Sequence, residues 1–291
     1  MKVLVIIVSY NFTPWIDRCL GSLRRQTLHP DVLVLDNAST DDTVVRIRRD
    51  YPEVEVVENG ANLGFARGNN IGLQQALERG YDATLLLNAD AWLQADDTLE
   101  KLVAMHQKYP EYGILSPIHL TGAGDRLEHG FATYVGFSQL DEQPDAEVVP
   151  ATFIDAAVWF VPVTTWRQVG FFSPLFYHYG EDLDFANRLR WHALRIGYLP
   201  HVYACHDREF RPTTRERFFH VESTYHLAEY ANMNYTLPRA FAMSVLATVK
   251  KATQALFAGR LSDTRRYTAI TLRLLCRTPE VLRTRHQYSN C

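Results

Sequence analysis

The sequence predicts an α/β fold with a mainly parallel central sheet flanked by helices, followed by a helical extension at the C-terminus. Three observations predict it. Short apolar runs bounded by turn residues recur about every 25 residues in the N-terminal part, as strands buried on both faces do. Helical patterns fill the intervals, as the crossovers of a parallel sheet require. The final segment, residues 235–291, has apolar positions at near-helical spacing and a charge unlike that of the rest.

Taken in order, Val3–Val8 is the first strand. Pro14 to Leu23 reads as a helix, with Thr13 as N-cap and Pro14 at the first helical position. Val32–Leu35 is the second strand and runs into the polar turn Asp36-Asn37-Ala38-Ser39-Thr40-Asp41-Asp42, followed by a helix to about Arg49. Val54–Val57 is the third strand, and a loop rich in turn residues, Asn59 to Gly64, leads to a helix over Gly68–Leu77. Thr84–Leu87 is the fourth strand and ends in Asn88-Ala89-Asp90. A helix over Asp97–Gln107 precedes a strand over Gly113–Pro117. Residues 119–150, rich in Gly, Asp, Glu and Pro, read as a long loop or hairpin region. Phe153–Val161 returns to a strand, Glu181–Leu194 has a rough apolar helical face, and Tyr198–Ala204 is a further strand ending at Cys205-His206. Phe241, Val245, Val249, Ala252 and Leu256 mark one C-terminal helix, and Thr264–Cys276 a second.

The chain has 291 residues, 47% hydrophobic and 22% charged, an ordinary globular composition. That length holds one large domain, or one with an appendage. We place a domain over 1–234, with halves at 1–115 and 116–234, and an extension over 235–291. The net charge of −3 conceals an asymmetry: 235–291 carries ten Lys and Arg against Asp263 and Glu280, a net +8, which leaves −11 on 1–234. A basic tail on an acidic body suits an anionic membrane surface; equally, the helices pack on the body or on a second subunit of a homodimer. No nucleic-acid partner is expected. Cys19, Cys205, Cys276 and Cys291 show no CxxC spacing, so a reducing cytoplasm is the simplest home. The run Val3–Val8 passes straight into Ser9-Tyr10-Asn11 and reads as a strand rather than a signal peptide. No stretch reaches the ~18 apolar residues of a membrane span.

Ligands of open α/β sheets sit at the carboxyl ends of the strands. Asp90 stands at such an end, where a hard oxygen ligand suits Mg²⁺ or Mn²⁺; a cap or turn role is the alternative. Ser9-Tyr10-Asn11 and Asp36-Asn37 leave neighbouring strands on the same rim, where a carboxylate accepts from a pyrimidine imide or ribose hydroxyls, or else forms an Asx-turn. Asn62-Leu63-Gly64-Phe65-Ala66-Arg67-Gly68-Asn69-Asn70 joins glycines that permit close backbone approach with an Arg suited to a diphosphate, but lacks the dinucleotide and phosphate-loop spacings. In Gly180-Glu181-Asp182-Leu183-Asp184, three acids open a helix, favoured by its dipole or serving as a general base; Arg188 and Arg190 follow as partners. His206 joins the set if it shares a rim with Asp90.

In this order, Val8-Ser9-Tyr10-Asn11, Leu35-Asp36-Asn37-Ala38-Ser39-Thr40-Asp41, Asn62-Leu63-Gly64-Phe65-Ala66, Asn88-Ala89-Asp90 and Gly180-Glu181-Asp182-Leu183-Asp184 resemble the motifs of the inverting family 2 glycosyltransferases. These have the GT-A fold, a Rossmann-like design. The resemblance covers roughly residues 1–210. With Phe65 and Asn70, the glycine-amide segment is most similar to the rhamnosyltransferase-like branch of bacterial polysaccharide synthesis.

The resemblance implies a nucleotide-sugar-binding half (1–115), an acceptor-binding half (116–234), and a dTDP- or UDP-sugar as donor. The acceptor would be a saccharide or a lipid-linked saccharide, met at the inner face of the plasma membrane. Asp36 would contact the nucleobase, Asp90 would hold Mn²⁺ or Mg²⁺ on the diphosphate with His206 beside it, and Asp182 would be the catalytic base, with Glu181 or Asp184 in reserve. Asn88 stands where the family usually has a first Asp and Ala89 where this branch has proline, which leaves strict metal dependence open. Trp92 follows the turn and either narrows the donor pocket or packs in the core. Two other readings remain. A sugar-phosphate nucleotidyltransferase would want a basic glycine-rich loop where Ser9-Tyr10-Asn11-Phe12 stands, and a non-catalytic sugar-nucleotide or glycan binding module would leave the acids at 181–184 only a capping role.

Overall fold

The computed structural model describes residues 1–177, 179–208 and 214–289. The chain divides into two compact units, one of Met1–Phe171 with Ala193–Phe210, the other of Phe172–His192 with Arg211–Cys291. The residues read as an extension, 235–291, thus share a unit with 172–192 and 211–234.

The first unit is a sheet with helices. Its strands are β1 (Val3–Ser9), β2 (Asp31–Asp36), β3 (Glu55–Glu58), β4 (Ala83–Leu87), β5 (Ala91–Leu93), β6 (Tyr112–Leu120), β7 (Val149–Ala151), β8 (Val158–Pro162) and β9 (Arg195–His206). They lie in the order β3-β2-β1-β4-β8-β6-β9-β5, with β7 beside β9. β1, β2, β3 and β4 pair in parallel, as do β6 and β9, whereas β8 runs antiparallel to β4 and β6. The helices are α1 (Ile16–Arg24), α2 (Thr43–Asp50), α3 (Gly64–Glu78), α4 (Thr98–Lys108), α5 (His129–Val135) and α6 (Val163–Val169). Val5, Ile7, Leu85, Leu87 and Phe160 of the sheet join Ile16, Leu20, Ile47, Leu99 and Leu102 of the helices in one core.

Several expectations shift. α1 starts at Ile16 rather than Pro14, because a turn closed by the Trp15 amide on the Phe12 carbonyl precedes it, and Thr13 caps nothing: its hydroxyl has no partner. α3 starts at Gly64, four residues before the position expected, so Phe65 and Arg67 lie on a helix rather than a loop. Gly68 and Gly72 explain the tight seat of α3: a Cβ on Gly68 would meet Val8 at 2.9 Å, and one on Gly72 would meet Ile6 at 2.7 Å. The strand expected from Phe153 starts at Val158, and the region 119–150 contains α5 and β7. β5 and α6 are further elements that the periodicity did not announce.

The second unit is helical: α7 (Glu181–Trp191), α8 (Arg215–Ala231), α9 (Leu237–Phe241), α10 (Ala247–Phe257), α11 (Leu261–Cys276) and α12 (Thr278–Ser289). A π-helical turn over Ala242–Leu246 joins α9 to α10. Phe176, Phe219, Leu227, Tyr230, Val245, Ile270, Leu274 and Val281 form its core. α10 and α11 pack together, and the buried Thr271 hydroxyl donates to that of Thr248 at 2.8 Å. Cys19 and Cys205 are buried free thiols and Cys276 an exposed one; Cys291 lies outside the described residues. Among the described residues no helix is long and apolar enough to cross a membrane.

Candidate functional site

Parallel pairing puts Ser9 of β1 opposite Asp36 of β2. The Asp36 carboxylate is buried and accepts from the Ser9 hydroxyl at 3.0 Å, the Ser39 hydroxyl at 2.5 Å and the Ser39 amide at 2.9 Å. These three bonds leave one of its roughly four lone-pair sites unfilled. Asn11 ties the two exits: its amide donates to Ser39 Oγ at 2.8 Å and its Oδ1 accepts from the Thr40 amide at 2.9 Å. Asn11 and Ala38 hold φ of 54° and 61°, which L side chains rarely adopt, so backbone strain gathers on this rim. Tyr10 is half exposed beside them.

Asn37 organises the next segment. Its Oδ1 accepts from the Asn59 side chain and the Leu63 amide, and its Nδ2 donates to the Gly64 carbonyl and to Asn62 Oδ1. Gly64 holds φ +76°, a left-handed conformation that suits glycine at the mouth of α3. Phe65 and Asn70 are half-buried and Arg67 is exposed. Gly68 serves helix–strand contact, since a Cβ there would meet Val8.

The turn after β4 meets β9 because β5 pairs with β9 at Ala91 and His206. His206 Nε2 lies 3.5 Å from Asp90 Oδ1 and 3.5 Å from Asn88 Nδ2. Burial pushes the His206 imidazole down, but the bond to Asp90 with its charge, and the charges of Asp155 and Glu128, carry it above its ordinary pKa. Trp92 pairs with Cys205 and lies under the Arg18 guanidinium, 5.1 Å from the ring centre.

Two acids that the sequence reading did not single out complete this corner. Glu128 opens α5 and accepts from the Phe131 amide at 2.9 Å. Asp155 precedes β8, 3.3 Å from His119 Nδ1 and 3.6 Å from Arg208. Burial would raise the Asp155 carboxyl; the interaction with His119, then the charges of His206 and Arg208, hold it below its ordinary value. Donor atoms of Glu128, Asp155 and His206 lie within 4.8 Å of one another, and all three residues are buried. The residues here suit a hard divalent cation: carboxylate oxygens with one imidazole, whose buried Nδ1 has no hydrogen-bond partner.

In the second unit, Gly180 in the left-handed conformation turns the chain into α7. Glu181 is buried with an orphaned Oε2; burial, then the charges of Asp182 and Asp184, push it up to about 7. Asp182 is half-buried and accepts from the Leu183 amide. Asp184 pairs with Arg188 at 2.8 Å, both buried, and burial keeps its carboxyl above the ordinary value despite that cation.

Residues 4–147 match the family model described as glycosyl transferase family 2. A hexosyltransferase of low-salt glycan biosynthesis from Haloferax volcanii, Agl10, is 25% identical over 202 residues, 67% of this chain and 62% of that protein. The chain therefore spans about three-fifths of that relative. An N-acetylglucosaminyl-diphospho-decaprenol L-rhamnosyltransferase from Mycobacterium tuberculosis is 25% identical over 78% of this chain and 82% of its own length. The mannosyltransferase PcManGT from Pyrobaculum calidifontis, solved with GDP-Man and Mn²⁺, superimposes with a TM-score of 0.57 at 17% identity, covering 95% of this chain and 86% of that one. The fold is that of the GT-A transferases.

Proposed function

This chain belongs to glycosyltransferase family 2 through residues 4–147, and from that premise we propose that it transfers a sugar with inversion from a nucleotide-diphosphate donor. The donor is dTDP-rhamnose or a UDP-sugar. The acceptor is a saccharide or lipid-linked saccharide of a bacterial cell-surface polysaccharide. The observation that carries this reading is the acid–imidazole corner where the exit of β4 meets the end of β9, Asp90 beside His206 in a family 2 domain. The rhamnosyltransferase likeness over most of both chains favours the rhamnose donor and the lipid-linked acceptor.

Ser9, Tyr10, Asn11, Asp36 and Asn37 are assigned to the nucleoside, and Asn62, Gly64, Phe65, Arg67, Asn70, Asn88 and Trp92 to the rest of the donor. Asp90 and His206 would hold Mn²⁺ or Mg²⁺, which supplies charge neutralisation to the departing diphosphate. As the acceptor oxygen bonds to the anomeric carbon and the bond to the diphosphate breaks, the hydroxyl proton passes to Asp182, or to Glu181 in reserve. A base near pH 7 serves that step well, and Glu181 is tuned there. Asp184 and Arg188 hold this turn in place.

The extension is assigned to an anionic membrane surface on the cytoplasmic side. Leu246, Val249, Leu256 and Leu261 are exposed there, Phe257 is 87% exposed, and Lys250, Arg260 and Arg265 lie among them. Sedimentation with anionic but not neutral vesicles checks it.

Calorimetric titration of UDP and dTDP, with and without Mn²⁺, tests the donor site. Metal-assisted binding of one nucleotide, lost in Asp90→Ala, is the expected result. No binding of either would overturn the reading.

A further inference from the structure

A cation that neutralises a diphosphate takes hard oxygen ligands, and a site of high charge density supplies more than one carboxylate. The turn after β4 offers a single one, Asp90, because residue 88 is an asparagine. Glu128 and Asp155 bring two more to the same imidazole. Ligand bonds of about 2.0–2.6 Å set opposite donors of one ion about 4–5 Å apart, and the donors of Glu128, Asp155 and His206 fall within 4.8 Å.

Two buried carboxylates side by side are costly unless something compensates them. The nearby cations do so incompletely. Arg208, at 3.6 Å from Asp155, is 40% exposed, so water screens it. His119 is fully buried and its Nδ1 pairs with Asp155 Oδ1 at 3.3 Å, whereas the buried His206 Nδ1 has no hydrogen-bond partner. A buried imidazole nitrogen without a partner, on a residue grouped with two buried carboxylates, is one that a bound ligand would satisfy.

Resting on the transferase reading, we propose that the divalent cation is anchored by Glu128 and Asp155 together with His206. The loop after β6 and the approach to β8 thus supply the carboxylates that the turn after β4 lacks. His119, backing Asp155, is a positioning residue for that ligand.

Mn²⁺ alone, titrated into the full chain by calorimetry and by the loss of its free-ion paramagnetic resonance signal, tests this. Glu128→Gln and Asp155→Asn are each expected to weaken Mn²⁺ by more than about 100-fold, beyond the about 10–100-fold typical of a residue that only supports a ligand. Wild-type Mn²⁺ affinity in both variants would overturn the assignment. Anomalous diffraction from Mn²⁺-soaked wild-type crystals decides without any variant: a peak within bonding distance of both carboxylates upholds it, and a peak on Asp90 away from them overturns it. Nucleotide binding with no Mn²⁺ on this pair would remove the cation site and keep the transferase reading. Mn²⁺ on the pair in a chain that binds neither UDP nor dTDP would do the reverse.

Discussion

The acids of the sheet unit and the acids at the start of α7 are handled in opposite ways. Asp36 is satisfied by neutral hydroxyls and an amide, Asp90 sits against the His206 imidazole, and Asp155, beside His119, is held below its ordinary pKa. Glu181, Asp182 and Asp184 crowd one helical turn with Arg188 as the cation paired to Asp184, and Glu181 is driven towards its neutral form. On the proposed reading, the first region receives a cation and the second receives a proton. Asp155 and Glu181 are both buried, and their different partners set their opposite shifts.

The largest effect that tests this contrast falls on the proton side. Asp182→Asn is expected to lower turnover by about 10²–10⁴ while nucleotide affinity and the melting temperature stay near wild type. Unchanged turnover would move the base role to Glu181. Asp184→Ala should cost about 3–5 kcal/mol in urea unfolding, since it leaves the buried Arg188 without its carboxylate. A smaller loss would mean that the pair is not the clamp of this turn.

Glu181 gives a pH test. Its carboxyl sits at about 7 in the folded chain against an ordinary 4.5, so the contribution of its neutral form is fully present below about 4.5 and is lost as pH rises through about 7. Glu181→Gln should therefore be more stable than wild type at pH 8, by at most about 3 kcal/mol, and level with it at pH 4. Equal melting temperatures at both pH values would break the contrast. The smallest effect belongs to the sheet unit: Ser39→Ala should lose about 1 kcal/mol, independent of salt, because Asp36 relies on neutral donors. A salt-dependent loss would show an unrecognised ion pair.

The contrast also explains what was legible in the chain. β1 to β4 and α1 to α4 were readable because each is a local pattern: an apolar run, a polar turn, an apolar stripe. Asp90, His206 and the acids at 181–184 were readable for the same reason, each standing at the end of such a pattern. Glu128 was not, because an acid in a polar stretch has no local mark, and only the fold of α5 against the sheet brings it to His206. Asp155 and His119 did carry a signal: each is a lone ionisable residue inside an apolar run, Phe153–Ala157 and Ile118–Leu120. Such a residue is buried at a cost that something must repay. The boundary errors at Thr13 and Gly64 have tertiary causes, a turn before α1 and close helix–strand contact at Gly68 and Gly72.

The π turn at Ala242–Leu246 is, in effect, one surplus residue threaded into an otherwise continuous helical rod. Tightening that turn to plain α-helix while keeping all its residues would rotate everything beyond by about 100°. Thr248 and Ala255, now inside, would swing towards water, and Ala247 and Gln254 would be driven towards the core. That one insertion sets the phase of the rod, and with it which of its faces is greasy and which is hidden.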